Sequence, residues 1–394
     1  MTDLELLFLV LAVVYGWECA CWIPRGSVGF VTWQGRRWRL KHPGTLVGNQ
    51  RGGLVFAFPL PPLGTVFTAH QFLLSISSEA MLAFVAANIS PGARPQQTGK
   101  LVQFTELRRV EVRGRKLLLN GEVFLKAATP TFAEHLARQV RELMKLPNEE
   151  RPRLIEQFVK AAFDTKSLEG RWQEFRKRAS HVRLLTNFLF AYLFGFAPAL
   201  IWSVGLSQSW LGLLIGLFLF TFATALFFRA AHKRFYPAAE DERFTHFVTI
   251  LLSPATAIRA RDVLSRPLLE TFHPLAIARI FCEEPEFRSF ARRVLIELRH
   301  PALPVCPQDE QAAQLAEGNY REMVQRAVEK FLKQSKVDVE QLTRPIAPAD
   351  ETCKSFCPRC EAQFTTIEGR CADCGGLSLV PFSAVDAHVR STKA

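Results

Sequence analysis

The polarity of this chain changes abruptly along its length. Residues 184–228, LLTNFLFAYLFGFAPALIWSVGLSQSWLGLLIGLFLFTFATALFF, contain no Asp, Glu, Lys, Arg or His. A helix that crosses the hydrocarbon layer needs about 20 apolar residues, so this run predicts two such helices joined by a tight turn. The polar interruption GLSQS, at 205–209, divides it into helices over about 184–205 and 210–230. Trp202 and Trp210 flank the interruption, and aromatic rings favour the boundary between membrane and water. Pro198 predicts a kink in the first helix, tolerated where a neighbour satisfies the freed carbonyl. Gly212 and Gly216 are spaced as G-x-x-x-G, which lets two helices approach closely. A buried helix pair in the core of a soluble protein is the competing explanation. A run of 45 uncharged residues argues against it.

A shorter apolar run, LLFLVLAVVYGW, occupies residues 6–17. Twelve residues fit a span, an interfacial helix or the core of a signal peptide. A signal peptide calls for a basic leader, and MTDLE has two acids and no base. Extended to residues 4–23, the run is long enough to span, with Glu18 near one interface.

The remaining segments alternate in polarity as soluble elements do. In KLLLNGEVFLK, residues 116–126, Asn120-Gly121 separates two apolar runs. That dipeptide is a strong hairpin signal because both turn residues must adopt positive φ. VGFVTWQGRRWRL, from Val28, has β-rich composition with a Gln-Gly turn. Thr131 and Glu134 are spaced as a capping box, which predicts a helix from about Phe132. Pro147 closes that helix and a second is expected over 150–163. Residues 25–180 therefore read as a small β-rich domain closed by helices; a pleckstrin-homology-like roll fits by analogy of fold alone. Residues 236–335 read as all-helical. Pro237 followed by Glu240, Asp241 and Glu242 suits a helix N-terminus. Phe287, Phe290, Ala291, Val294, Leu295 and Leu298 fall on one helical face. Residues 336–352 form a polar linker.

Charge sets a direction. Lys and Arg number 49 against 37 acids, a net charge of +12, which suits nucleic acid or an anionic membrane surface. Arg171, Arg176, Lys177, Arg178 and Arg183 precede the apolar hairpin; Arg229, Lys233 and Arg234 follow it; its turn has no charge. The positive-inside rule then puts both ends in the cytoplasm. Arg25, Arg36, Arg37, Arg39 and Lys41 follow the first run, which places the N-terminus outside. The expected fold is an α+β membrane protein. It has an N-terminal transmembrane helix (4–23), a β-rich plus helical cytoplasmic domain (25–180) and a transmembrane hairpin (184–230). An all-helical cytoplasmic domain (236–335), the linker and a cysteine-bearing segment (353–382) complete it. The expected location is the plasma, or inner, membrane. Two basic clusters are candidates for anionic lipid, worth about 1 kcal/mol per residue near a cytoplasmic leaflet. One is Arg36–Lys41, interleaved with Trp33 and Trp38; the other is Arg108, Arg109, Arg113, Arg115 and Lys116. A topogenic signal plus a solvated face explains them equally.

The cysteines carry the clearest chemistry. Cys357 and Cys360 form one C-x-x-C pair, Cys371 and Cys374 a second, with ten residues between. Four thiolates at this spacing suit tetrahedral zinc. The segment resembles zinc-ribbon, rubredoxin-like domains over residues 353–382 only. Iron is the alternative metal, disfavoured because Glu361 follows the first pair where rubredoxins tend to carry Gly. With Cys at all four positions no coordination site stays open, so one structural zinc is expected. A ribbon this small has little core, so the metal supplies folding energy. Cys353 reads as a bystander. From Cys353 onward five bases face four acids, a balance that disfavours nucleic acid and points to a protein partner or self-docking.

No nucleotide-binding, zincin or nucleophile-elbow motif is present. Within the hairpin Tyr192 is the single ionisable residue, and Ser207 has no His or Lys in the spans to activate it. His273 and His300 adjoin Pro and are expected at helix ends. Cys19 and Cys21 read as small filler at the membrane edge, with lipidation or a metal contact the alternative. No catalytic residue is assigned. A membrane-anchored binding or scaffolding protein, with the ribbon as docking module, is the leading expectation. A membrane-interface enzyme or an accessory transporter subunit is the alternative.

Overall fold

The computed structural model describes residues 2–24, 27–31, 54–56, 64–68, 72–85, 99–282, 284–300, 309–344, 347–372 and 376–382. Helix α1 (Asp3–Cys21) leads into short strands β1 (Trp22–Pro24), β2 (Ser27–Val31), β3 (Leu54–Phe56) and β4 (Gly64–Thr68). They pair antiparallel as β1 with β3 and β2 with β4. β5 (Phe72–Ile76), β6 (Ala80–Val85) and β7 (Gly99–Gln103) form one three-stranded sheet. β8 (Val110–Arg113), β9 (Lys116–Leu119) and β10 (Glu122–Lys126) form another. Helices α2 (Pro130–Met144), α3 (Arg151–Ala162) and α4 (Thr165–Arg178) follow. The apolar hairpin comprises α5 (Ser180–Ala191), a π-helical turn (Tyr192–Phe196), α6 (Ala197–Val204) and α7 (Leu206–Phe235). Beyond it lie α8 (Glu240–Leu252), α9 (Pro254–Ile258), α10 (Ala260–Leu269), α11 (Pro274–Phe281), α12 (Glu284–Arg299), α13 (Glu310–Gln334) and α14 (Val339–Leu342). Five two-residue strands end the described chain: β11 (Ser355–Phe356), β12 (Gln363–Phe364), β13 (Arg370–Cys371), β14 (Leu377–Ser378) and β15 (Val380–Pro381).

These elements form two compact units. The first combines Met1–Leu73, Glu106–Pro147 and Asp164–Glu283; the second combines Leu74–Thr105, Asn148–Phe163 and Glu284–Ala394. The Gln-Gly turn of the β-rich segment that starts at Val28, and the basic cluster Arg36–Lys41, lie outside the described residues.

In the first unit the β9–β10 turn forms as its dipeptide predicts, with Asn120 at φ 52° and Gly121 at φ 88°. Asn120 is also pinned by its amide. Its Oδ1 accepts from the N–H groups of Arg108 (2.8 Å) and Arg109 (3.1 Å), and its Nδ2 donates to Glu106 O at 2.8 Å. The start of α2 differs from the expected box. Thr129 is the cap, its hydroxyl accepting from Phe132 N–H at 3.1 Å, and Pro130 occupies the first turn. Proline's fixed φ and missing N–H favour that position, so the helix begins two residues earlier and Thr131 is released for another contact.

The hairpin turns more sharply than GLSQS suggests. Gly205 alone, at φ 91°, breaks the helix, and α7 resumes at Leu206. Ser209 sits inside α7 and donates to Gly205 O at 2.7 Å. Pro198 acts as expected, by a specific route. It cannot donate to the carbonyl four residues back, and just before it the ladder widens: Ala197 N–H bonds Tyr192 O, five residues away. Of the G-x-x-x-G pair only Gly216 meets a neighbour. A Cβ there would lie 2.6 Å from the Tyr192 hydroxyl, whereas one at Gly212 meets nothing within 4 Å. The hydroxyl uses this gap to donate to Leu213 O at 2.6 Å. α1 packs beside the π turn, with Trp17 centred 5.6 Å from Phe190 and 5.3 Å from Phe194.

Among the described residues two helices are long and apolar enough to cross a membrane, Ser180–Val204 and Leu206–Phe235, with 17% and 22% of their apolar windows buried. Core helices of a soluble protein would be mostly buried. Here Phe188, Trp202, Trp210, Leu214 and Phe218 stand exposed. At about 1.5 Å per residue, α7 is longer than the hydrocarbon layer is thick. Its last turns enter a helical core built on Trp172, Phe175, Phe228, Ile250 and Leu264.

In the second unit, α12 buries Phe287, Ala291 and Leu295 completely, the face its periodicity predicts. Phe163 packs on Phe331 of α13 at 5.4 Å, and Ala313 of α13 packs on Leu82 of β6. Arg151 ties the unit's segments together, lying 4.4 Å over Phe104 and donating to Ser78 O at 2.7 Å.

The close contact at Gly216 gives a paired test. Gly216→Val should lower the melting temperature of the detergent-purified protein, a loss of about 1–3 kcal/mol from overpacking and the displaced Tyr192 bond. Gly212→Val should stay within about 0.5 kcal/mol of wild type. Equal effects would show that the tyrosine contact does not set the packing.

Candidate metal centre

Three sulfurs converge near the end of the described chain. Between β11 and β12 the chain reverses through Cys357–Ala362, closed by Cys357 N–H to Ala362 O and Glu361 N–H to Cys357 O, both 2.9 Å. β13 delivers Cys371, whose carbonyl accepts from the N–H of Gly376 (φ 88°) at 2.9 Å. The strands are too short to hold one another: β11 pairs with β12 on one side and β15 on the other over two residues each. Phe356 packs against Phe382, ring centroids 5.1 Å apart and tilted by 31°.

The sulfurs of Cys357, Cys360 and Cys371 all lie within 4.8 Å of one another, close enough to hold a metal ion. Cys357 and Cys371 are fully buried and Cys360 is exposed. Cys360 and Cys371 are 3.6 Å apart. A disulfide would require about 2.05 Å, whereas two sulfurs about 2.3 Å from a tetrahedral ion stand about 3.8 Å apart. The donor set thus fits a thiophilic metal. Cys374, the fourth expected ligand, lies outside the described residues. Cys353 is not in the cluster; its side chain bonds Asp350, helping hold that carboxyl below its ordinary range after the bonds from Thr352.

The other candidates disperse. Arg36, Arg37, Arg39 and Lys41 lie outside the described residues. On β8 and beside it, Arg109 and Arg113 both pair with Glu111, and both side chains are largely exposed, as on a solvated face. His273 caps α11 through Nδ1, which accepts from Leu275 N–H at 3.1 Å. Burial pushes its imidazole down to about 4.

A second constellation was not evident from spacing. In the first unit, where the C-terminal end of α7 meets α8 and α10, polar groups are buried together, and the start of α2 bonds two of them. Thr129 donates to Glu270 Oε2 at 2.6 Å, and Thr131, freed from capping, donates to Glu242 Oε2 at 3.2 Å. The other oxygen of Glu242 lies 3.4 Å from His246 Nε2. The fully buried His232 ring packs 5.0 Å from Tyr236 and 6.1 Å from His246. Burial raises the Glu270 carboxyl to about 8, with Glu242 adding to the rise and Thr129 and Arg266 opposing it. The available signal was Glu242-x-x-x-His246, which puts both on one helical face. In sequence Glu242 reads simply as a first-turn acid.

No family model, curated protein or solved structure matches this chain. The site therefore rests on its own geometry.

The raised Glu270 carboxyl fixes a pH dependence. Its folded value exceeds the ordinary 4.5, so its stabilisation is full below that value and is lost as pH rises through about 8. Between pH 5 and 8, wild type should lose stability relative to Glu270→Gln by up to ~1.4 kcal/mol per pH unit. Parallel melting curves across that range would show Glu270 ionised in the fold.

Proposed function

We propose that the protein is anchored in a membrane and serves as a binding or scaffolding protein, with its C-terminal segment a zinc ribbon that docks a protein partner. The observation that carries the anchoring is the hairpin's exposed apolar face. A surface of Trp, Phe and Leu of this extent is costly in water and is stabilised in lipid. Arg176, Lys177, Arg178, Arg183, Arg229, Lys233 and Arg234 lie at one end of the hairpin, which supports a cytoplasmic position for both ends and contact with anionic lipid. The soluble elements and the ribbon then share the cytoplasmic side of the plasma, or inner, membrane. α1 forms a third span with its N-terminus outside. Cys374 completes the ligand set for one zinc ion, whose role is structural, because four thiolates leave no open position. When bound, the ion supplies the cross-link that strands of two residues cannot.

The buried Thr129–Glu270 and Thr131–Glu242–His246 contacts favour a second reading, an enzyme working at the membrane boundary. A carboxyl protonated at neutral pH is a means of donating a proton. It stands second because the exposed apolar face of the hairpin bears on anchoring and not on catalysis.

Pull-down from the native host in gentle detergent compares wild type with Cys371→Ser/Cys374→Ser. Wild type should carry one zinc per chain and retain a specific protein that the variant loses at equal expression. Retention of every bound protein by a zinc-free variant would rule out docking through the ribbon.

A further inference from the structure

Glu361 is in an unusual place for a glutamate. It follows Cys360 directly and has φ 61°, the left-handed region that disfavours any residue with a Cβ. The turn requires this conformation, since Glu361 N–H closes on Cys357 O and the next residue accepts from Cys357 N–H. Glycine would adopt it freely. The glutamate instead has a holder. Arg292 of α12 donates to Glu361 Oε1 through Nε at 3.1 Å and also through Nη2, while its Nη1 donates to Leu342 O at the end of α14. Both side chains are more than two-thirds shielded from solvent. One guanidinium thus spans the cysteine turn, α12 and α14, all within the second unit.

We propose that Arg292 and Glu361 are positioning residues for the metal: their ion pair holds the Cys357–Cys360 turn ready for the ion and transmits metal loading to α12 and α14. This rests on the metal-binding reading above. The physical logic is reciprocal. If the bridge favours the turn that presents two sulfurs, then a metal that fixes the turn also fixes the bridge, by the same free energy. The glutamate conformation, costly alone, is maintained because Arg292 makes a charge-assisted pair that a glycine could not. The ribbon then reports its metal state to the helices rather than folding as an isolated tag.

Two substitutions separate the conformational role from simple loss of charge. Glu361→Ala removes the carboxylate and keeps a Cβ; Glu361→Gly removes both. Full-length protein in detergent is titrated with zinc against a competing chelator. Hydrogen exchange of 284–300 and 339–344 is followed with zinc and after its removal. Arg292→Ala and Glu361→Ala should bind zinc about tenfold more weakly, of the order of one charge-assisted hydrogen bond. Glu361→Gly should bind within about threefold of wild type, because glycine meets the turn's demand unaided. Removing zinc should speed exchange of both segments in wild type and leave it unchanged in all three variants. The proposal is overturned if Glu361→Ala and Glu361→Gly bind zinc equally, or if wild-type exchange ignores removal of a bound zinc. Wild-type protein that binds no zinc overturns both this proposal and the metal reading, a result distinct from loaded protein with uncoupled helices.

Discussion

The exclusion of charge from residues 184–228 constrains most of the first unit. In apolar surroundings every backbone polar group has to be satisfied within the chain, and that demand falls hardest on the hairpin's two irregular points. Pro198 takes away one donor, and the ladder responds with a five-residue step from Ala197 to Tyr192. The Tyr192 hydroxyl then donates to Leu213 O through the gap left by Gly216. The proline, the π turn and the glycine are parts of one accommodation. At the other end Gly205 turns the chain with a single positive φ, and Ser209 returns a hydrogen bond to its carbonyl.

The C-terminal end of α7 outruns the apolar run and is covered by α8 and α10. Polar groups gather there because helix ends meet there. Thr129 caps α2 and bonds Glu270 with the same hydroxyl, so a local cap and a long-range contact share one atom. In the second unit the limiting constraint is size. Strands of two residues and one aromatic pair cannot offset the entropy of ordering the segment, and converging thiols are the feature that lets a metal do so.

Much of this was legible in the sequence, for physical reasons that differ by element. The Asn120-Gly121 turn, the α12 face and the apolar hairpin depend on local propensity and periodicity, which a sequence displays directly. The convergence of Cys357, Cys360 and Cys371 was legible because tetrahedral metal geometry favours paired C-x-x-C spacing. The cap of α2 was misplaced by two residues, since Thr131 and Glu134 fit a capping box and only tertiary contact shows that Thr131 serves Glu242. Glu242 read only as an acid at a helix N-terminus and Glu270 carried no local signal, because their partners Thr131 and Thr129 lie 111 and 141 positions away. The role of Glu361 was hidden for the same reason, as Arg292 lies 69 positions away.

The measurement that bears most directly on the account is the topology of the hairpin. Ser207 is exposed beside the turn, so a Ser207→Cys variant can be treated with a membrane-impermeant maleimide and compared with wild type, in intact cells and after permeabilisation. The account predicts labelling above the wild-type background in intact cells, with the protein retained in carbonate-washed membranes. Labelling at position 207 only after permeabilisation would contradict the orientation with both ends cytoplasmic, and release of the protein by carbonate would contradict membrane crossing itself.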